Sequence, residues 1–541
     1  MGSESLSYQK VSKGELRGWV RKDIYDSLPS SFFDDPVSFV RATEGKTIHE
    51  SKWRWTGVFH LPNGGRVFLK RDKTKGFIES IKYLLIPSRE RREWLLSYRL
   101  RGKNLKIPKP FGWMERVRGG FVRESYYLSE AIGMGVSFMD DSARRKSRSS
   151  IFGLAQAIRK IHDAGLDHPD LHGGNFLWDG ESLLLTDLHG VRIVKAVSLN
   201  QRLWNLSHLL HSLRHDWGEA EQIQFVDHYF APDSIPIPEK ENLIQRIYSI
   251  MYRLQQRQWQ SRTKRCLKES TEFSIQKERG TRYYRRRDFP LDDLKRMVEE
   301  HRTLAREKAS CLVKYSSGVI VSILDDGVGK ICIKQFCYPS FWRRMKEHFR
   351  RSKGLKAWIA ANGLRVRGIP SLKPLGLMEK KGLFGVEESF FLMETAAPDR
   401  EMDRYVLRGF KDFIEKRLFI QTFAQWLSIF HQKNLFHKDM KTCNILVSEK
   451  AESWDFHLLD FEDISLDKTV NHRGLFKNLL QLHLSTPRVM TRSDRLRFFR
   501  EYVRFNPIVQ DQKAFLRKLV EASRGRSLVY VSPEGVIIEN M

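Results

Sequence analysis

The sequence predicts an α+β protein built twice: two tandem bilobal domains, each with a small, mostly β N-lobe and a larger, mostly α C-lobe. Three observations predict it. The stretch His168-Pro169-Asp170-Leu171-His172-Gly173-Gly174-Asn175 returns 269 residues later as His437-Lys438-Asp439-Met440-Lys441-Thr442-Cys443-Asn444, so one His-x-Asp-x-x-x-x-Asn loop occurs twice. Each loop runs into an apolar strand ending in Asp, Leu183-Leu184-Leu185-Thr186-Asp187 and Phe456-His457-Leu458-Leu459-Asp460. Ahead of each lies an apolar strand ending in Lys, Arg66-Val67-Phe68-Leu69-Lys70 and Lys330-Ile331-Cys332-Ile333-Lys334. With 541 residues, 41% of them apolar and 12% aromatic, the chain can fill two such cores.

Taken in order, the elements match the parts of a phosphotransfer site. In the protein-kinase signature a strand Lys reaches the nucleotide phosphates, a loop Asp takes the acceptor hydroxyl proton, and a loop Asn and a strand-end Asp hold Mg²⁺. An Asp and an Asn five residues apart on a tight loop can face one point from two sides, and a carboxylate from the next strand completes a cage of oxygen ligands. One such loop would mean little, because Asp and Asn favour turns for local reasons. Two loops with matched neighbours on both sides are not accounted for that way. Lys70 and Lys334 are thus candidate phosphate ligands, Asp170 and Asp439 candidate bases, and Asn175 with Asp187, and Asn444 with Asp460, candidate metal ligands.

The repeat extends to the flanks. Twenty-three residues past Lys70 stands Glu93, in Arg91-Arg92-Glu93-Trp94, a candidate helix partner for the lysine; the same count from Lys334 reaches Ala357, in Leu355-Lys356-Ala357-Trp358. Trp94 and Trp358 fix that register, so the second copy has lost the helix carboxylate and Lys334 stands alone unless Glu347 takes over. Sixty residues past each Lys, strand-like runs end in Glu130 and Glu394, where a hinge would present backbone groups to adenine. Beyond the metal strands, Arg202-Leu203-Trp204-Asn205-Leu206 aligns with Arg473-Gly474-Leu475-Phe476-Lys477, and apolar residues recur there at helical spacing, which marks core. The charged segment 261–308 includes a helix over 291–298 and reads either as a linker or as the counterpart of the fifty or so residues before the first lysine strand. A boundary near Arg262 gives domains 1–261 and 262–541. Neither copy has a full Gly-x-Gly-x-x-Gly loop; Asn63-Gly64-Gly65 and the stretch 325–329 read as hairpin turns.

At this point the residues resemble the bacterial lipopolysaccharide kinase family, the inner-core heptose and Kdo (3-deoxy-octulosonate) kinases. The resemblance rests on the strand Lys, the Arg-Glu-Trp helix, Ile107-Pro108-Lys109-Pro110-Phe111-Gly112, and the catalytic and metal loops, and it covers nearly the whole chain, once per half. It implies a protein-kinase-like fold and transfer of the γ-phosphoryl group of ATP, with Mg²⁺, to a heptose or Kdo hydroxyl. The halves differ at two places. The first reads Asp170-Leu171-His172 and the second Asp439-Met440-Lys441, in which Lys441 can steady the transferring phosphoryl group; the metal strands continue as Asp187-Leu188-His189-Gly190 and Asp460-Phe461-Glu462-Asp463.

Composition narrows the setting. Five cysteines, Cys266, Cys311, Cys332, Cys337 and Cys443, lack metal-ligand spacing and read as reduced, which favours the cytoplasm. No run of 18 uncharged apolar residues and no signal-peptide pattern occurs. A formal charge of +29, dense at 282–287 and 342–351, calls for an anionic partner. The expected partner is the lipopolysaccharide core or another anionic glycolipid, met by peripheral contact with the cytoplasmic face of the inner membrane. A protein kinase is disfavoured by the lack of an Ala-Pro-Glu anchor after Asp187 or Asp460, and an aminoglycoside kinase by the charge, since its cationic acceptor wants an acidic cleft. Nucleic acid would explain the charge and not the loops, and is not expected. The remaining alternative makes one half, the second, a regulatory pseudokinase, on the strength of its missing helix Glu.

Overall fold

The computed structural model describes residues 7–100, 103, 105–132, 137–140, 145–180, 182–308, 310, 312–325, 327, 329–338, 351–382, 385–395, 401–451, 453–467, 470–506 and 508–540. The chain divides into two compact units, Met1–Gln255 and Gln256–Met541. Each holds a seven-stranded antiparallel sheet followed by helices.

In the first unit the strands are β1 (Tyr8–Lys13), β2 (Leu16–Arg21), β3 (Lys46–Glu50), β4 (Arg54–His60), β5 (Arg66–Lys73), β6 (Pro110–Arg118) and β7 (Phe121–Glu130), in the order β1-β2-β6-β7-β5-β4-β3. Successive side chains on a strand face opposite sides. Val67 and Leu69 of β5 therefore enter a core with Phe32, Phe33, Val40, Trp55, Phe59 and Leu128, and Lys70 emerges on the other face, opposite Tyr127 of β7 and Thr56 of β4. The covering helix Pro36–Ala42 starts where it does because Pro36 fits the first helical turn and the Asp35 carboxylate accepts from the Val37 and Ser38 amides at 3.1 and 3.2 Å. Gly64 and Gly65 form the tight turn from β4 into β5, with Gly64 at φ +81° and the Leu61 amide donating to the Gly65 carbonyl at 2.7 Å.

The helical part follows the sheet. Helix Arg148–Asp163 begins at the Ser147 cap and buries Ile151, Leu154, Ala155, Ile158 and Ile161, at intervals of three and four. Helix Leu199–Leu213 opens on a capping box of Ser198 and Gln201. Its Leu206 and Leu210 pack with Phe225 and Tyr229 of helix Glu219–Phe230.

The second unit repeats the plan with β8 (Phe273–Glu278), β9 (Thr281–Arg286), β10 (Leu312–Tyr315), β11 (Val319–Asp325), β12 (Lys330–Cys337), β13 (Pro374–Gly382) and β14 (Gly385–Glu394), in the order β8-β9-β13-β14-β12-β11-β10. The charged segment 261–308 is built into this sheet. β9 pairs with β13, Tyr283 opposite Met378, and helix Leu291–Glu307 buries Leu294, Met297, Val298 and His301. The basic run 282–287 is thus largely a strand, whose Arg286 lies over the Phe273 ring at 5.7 Å and pairs with Glu272 at 2.9 Å. The basic run 342–351 lies, except for Arg351, outside the described residues. Cys266, Cys332, Cys337 and Cys443 are free thiols; Cys311 lies outside the described residues. Among the described residues no helix is long and apolar enough to cross a membrane.

Candidate functional site

In the first unit the sheet, the helix Arg89–Leu100 and the strand-end turn meet at one lysine. Lys70, 5% exposed, points its Nζ at Glu93 Oε2 and Asp187 Oδ1, both at 2.7 Å. His189 Nδ1 lies 2.7 Å from the same Asp187 oxygen. Burial opposes the lysine charge, but Glu93 and Asp187 overcome it and hold the pKa above the ordinary lysine value. Burial likewise works against the Asp187 carboxylate, and the bonds from His189 and Lys70 outweigh it, holding its pKa well below the usual range. Glu93, Asp187 and His189 bring ligand atoms within 4.8 Å of one another.

The loop is tied to that cluster by backbone. The Asn175 carbonyl accepts from the Thr186 amide at 2.7 Å and from its hydroxyl at 3.0 Å, so the loop Asn and the strand-end Asp stand side by side. Asn175 Oδ1 accepts from the His172 amide at 2.8 Å, and Asp170 is exposed at the loop tip. The second unit repeats the tie, the Leu459 amide donating to the Asn444 carbonyl at 2.9 Å. There Asn444 Nδ2 donates to the Asp439 carbonyl at 2.9 Å. Lys441 Nζ lies 3.1 Å from Asp439 Oδ1, and Gln481 Nε2 donates to the same oxygen at 3.3 Å.

The lysine of the second unit keeps the strand-end aspartate and has a different second partner. Lys334 Nζ lies 2.5 Å from Asp460 Oδ1 and 2.7 Å from Glu462 Oε1. Glu347, the candidate replacement for the helix carboxylate, lies outside the described residues; among the described residues Glu462 is the second carboxylate at Lys334. Ala357 sits fully buried at the Glu93 position, and Gly354 occupies the place of Glu90, where an added Cβ would lie 2.5 Å from Ser389 Oγ. Both acids of the first helix are therefore missing from the second. The carboxylate has moved to the strand-end turn, two residues past Asp460, where the first copy carries His189.

Glu130 and Glu394 are not drawn into these clusters. They end β7 and β14 with their carboxylates 3.9 Å from Lys109 and 3.3 Å from Lys373. Their amides donate to the carbonyls of those same lysines, at 2.9 Å in each case.

Beneath each loop lies a buried polar scaffold that the sequence alignment misplaced. Asn205 Oδ1 accepts from the His168 amide at 2.8 Å and bonds His162 Nε2 at 3.3 Å, while His162 Nδ1 bonds the Tyr229 hydroxyl at 2.6 Å. In the second unit Asn478 Nδ2 donates to the His437 carbonyl at 2.7 Å, Asn478 Oδ1 bonds His431 Nε2 at 3.2 Å, and His431 Nδ1 bonds the Tyr502 hydroxyl at 2.8 Å. Burial pushes the pKa of His162 and of His431 down to about 4, so both rings are neutral. Asn205 thus corresponds to Asn478, two residues past the Phe476 with which the sequence alignment paired it. The signal was a second histidine six residues before each loop His, at 162 and 431.

Glu90 is fully buried beside this site. Ser125 donates to one of its oxygens and the other has no partner among the described residues. Burial, reinforced by the Asp72 charge, pushes its pKa up to about 8 from 4.5. Between those values the folded state binds the extra proton, so stability falls as pH rises across the interval. Glu90→Gln is expected to flatten this slope and to raise the first unit's Tm at pH 9 relative to wild type, with little gain at pH 5; in a domain of this size about 2–4 °C corresponds to 1 kcal/mol. Thermal melts of both proteins at the two pH values decide it, and equal shifts at both would refute the assignment.

The chain is similar to known proteins. The family model described as Lipopolysaccharide kinase (Kdo/WaaP) family matches residues 38–229 and again 343–502, together well over half of the chain. A curated relative, lipopolysaccharide core heptose(I) kinase WaaP of Escherichia coli (strain K12), is 28% identical over 179 residues, 29% of this chain and 67% of its own. The 3-deoxy-D-manno-octulosonic acid kinase of Stenotrophomonas maltophilia (strain K279a) is 33% identical over 141 residues, 24% of this chain and 53% of its own. The chain thus spans only about half to two thirds of these relatives. A solved structure of WaaP in complex with acyl carrier protein aligns with 41% of this chain and 92% of its own at 20% identity, with a TM-score of 0.30.

Proposed function

Because the chain belongs to the lipopolysaccharide kinase (Kdo/WaaP) family, we propose that it is an ATP-dependent kinase that phosphorylates a heptose or Kdo hydroxyl of the lipopolysaccharide inner core. The observation that carries the reading is the buried lysine of each unit, held by two carboxylates beside the loop Asn. Each half, 1–261 and 262–541, acts as a bilobal kinase domain with the site between a β lobe and an α lobe. Lys70, oriented by Glu93, and Lys334, oriented by Glu462, bind the phosphates of ATP. Asp170 and Asp439 position the acceptor hydroxyl and take its proton, and Lys441 steadies the transferring phosphoryl group. The runs ending at Glu130 and Glu394 lead into the adenine-binding connection.

The strand-end aspartates fit a magnesium ion by donor chemistry. Asp187 with Asn175, and Asp460 with Asn444, offer the hard oxygen ligands this ion takes, and the backbone ties of 2.7 and 2.9 Å keep each pair adjacent. Held by these residues, Mg²⁺ would neutralise negative charge on the phosphates of ATP. The acceptor is anionic and lipid-borne, which fits a chain of charge +29 working peripherally on the cytoplasmic face of the inner membrane.

The test is transfer of radiolabelled phosphate from ATP by the purified full chain to lipid A-core acceptors, followed by mass spectrometry of the product. Label on an inner-core heptose or Kdo is the expected result. No transfer to any core acceptor, with transfer to proteins or to a soluble non-core sugar instead, would overturn the reading.

A further inference from the structure

The ten-residue helix Gly76–Leu85 joins the Lys70 strand to the helix that carries Glu93, and it wears its apolar side outward. Phe77 is 70% exposed, Ile78 84%, Ile81 41%, Leu84 57% and Leu85 85%, and Ile86 just beyond is 37% exposed. At 100° per residue the five helical positions span an arc of roughly 120°. The opposite side is polar and turned inward: Ser80 is buried with its hydroxyl on the Gly76 carbonyl at 3.1 Å, and Tyr83 donates to Glu79 at 3.1 Å. Globular surface helices bury the apolar stripe and expose the polar one; here the order is reversed. A contiguous exposed patch of this kind marks an interaction site.

The rim identifies the occupant. Lys75 and Lys82 are exposed on the helix and its entry, Lys73 is exposed 3.8 Å from Glu124, and exposed Arg123 stacks on Phe121, whose ring meets Phe77 at 6.2 Å. Glu79, the one acid of the helix, accepts from the Lys75 amide and the Tyr83 hydroxyl. Large apolar residues bordered by lysine and arginine are the signature of a helix lying in the plane of an anionic bilayer, where the side chains enter the acyl boundary and the cations meet lipid phosphates.

We propose that Gly76–Leu85 is a membrane-docking helix that inserts Phe77, Ile78, Ile81, Leu84 and Leu85 into an anionic bilayer and thereby holds the first site against a lipid-borne acceptor. The inference rests on the reading of the acceptor given above and names the surface that meets the membrane. Its position matters because the helix is continuous in sequence with both members of the Lys70–Glu93 pair.

The experiment compares the full chain with the double variant Ile78→Asp, Leu85→Asp in flotation with phosphatidylethanolamine and phosphatidylglycerol vesicles and with pure phosphatidylcholine vesicles. Wild type is expected to float with the anionic vesicles, less so at 1 M salt, where the Debye length falls to about 3 Å. The variant should bind them about tenfold more weakly or worse. Both should phosphorylate a delipidated, water-soluble core oligosaccharide at the same rate, and only wild type should work well on vesicle-embedded lipopolysaccharide. Should the aspartates impair folding, Ile78→Ala with Leu85→Ala gives the same ordering with a smaller effect. Unchanged vesicle binding by both variants overturns the proposal, as does a wild-type dimer that the variant dissociates without losing vesicles. If neither protein phosphorylates any core oligosaccharide while the vesicle result holds, the acceptor reading fails and the docking helix stands.

Discussion

The double variant Asp170→Asn, Asp439→Asn is expected to transfer phosphate from ATP to the core acceptor at least roughly 10²-fold more slowly than wild type, since a positioned base contributes about 10²–10⁴-fold. Each single variant should remove the share of its own unit, and the two remaining rates should add up to the wild-type rate. Initial rates of label transfer measure this directly. Asparagine keeps the size and shape of aspartate, and the scaffold on Asn205 and Asn478 holds the loop through the backbone of His168 and His437, so that scaffold should survive, and unchanged melting curves would show that it has. Wild-type turnover by the double variant would refute the roles of both residues.

The second large effect is expected at Glu462. In an Asp170→Asn background, where only the second unit works, Glu462→Gln leaves Lys334 with the single carboxylate of Asp460. Removing one partner of a buried pair strands charge, at a cost of about 3–5 kcal/mol, and a displaced lysine misplaces the phosphates, so turnover should fall about 10²-fold. Adding Ala357→Glu to that variant should restore part of the loss by returning the carboxylate to the helix. The same substitution in the presence of Glu462 should not help, because it would place a third buried acid at one ammonium, beside Asp460 and Glu462, and like charges there repel. ATP KM and kcat measured across the four combinations form a double-mutant cycle. Independent, additive effects of Glu462→Gln and Ala357→Glu would mean that the two positions do not share a lysine.

What could be read from the sequence was whatever depends on fixed local spacing. The loop residues Asp170 and Asn175, and Asp439 and Asn444, are five apart because one tight loop must aim both, and the strand lysines stand out because each ends a short apolar run. The offset of 23 that leads from Lys70 to Glu93 runs over the strand end, the helix Gly76–Leu85 and the start of the helix Arg89–Leu100, and the structure brings those two side chains to 2.7 Å. The partner of Lys334 was illegible for the opposite reason: Glu462 lies 128 residues away in sequence, and only the closure of the turn against the sheet brings it to 2.7 Å. A one-for-one alignment shows Ala357 as a loss and does not show the gain elsewhere. The helix Gly76–Leu85 was overlooked because its sequence pattern is that of an ordinary amphipathic helix; which side faces the protein is set by packing on the sheet. The basic run 282–287 misled through composition, since charge density says nothing about whether alternate residues of a strand are covered.

Asp187 and Asp460 share one more property, a left-handed backbone with φ of +57° and +51°. Most side chains in that region are strained by roughly 1–2 kcal/mol; aspartate bears less of this than most, and glycine none. Each half of the chain therefore keeps a locally disfavoured residue at the same turn, although the two halves have diverged in the acids that hold the lysine. A protein shaped by folding alone would drift toward glycine at both places. The turn is consequently a point where conformational economy and reactivity pull in opposite directions, and a selection for thermal resistance that ignored activity would be drawn to erase these two aspartates.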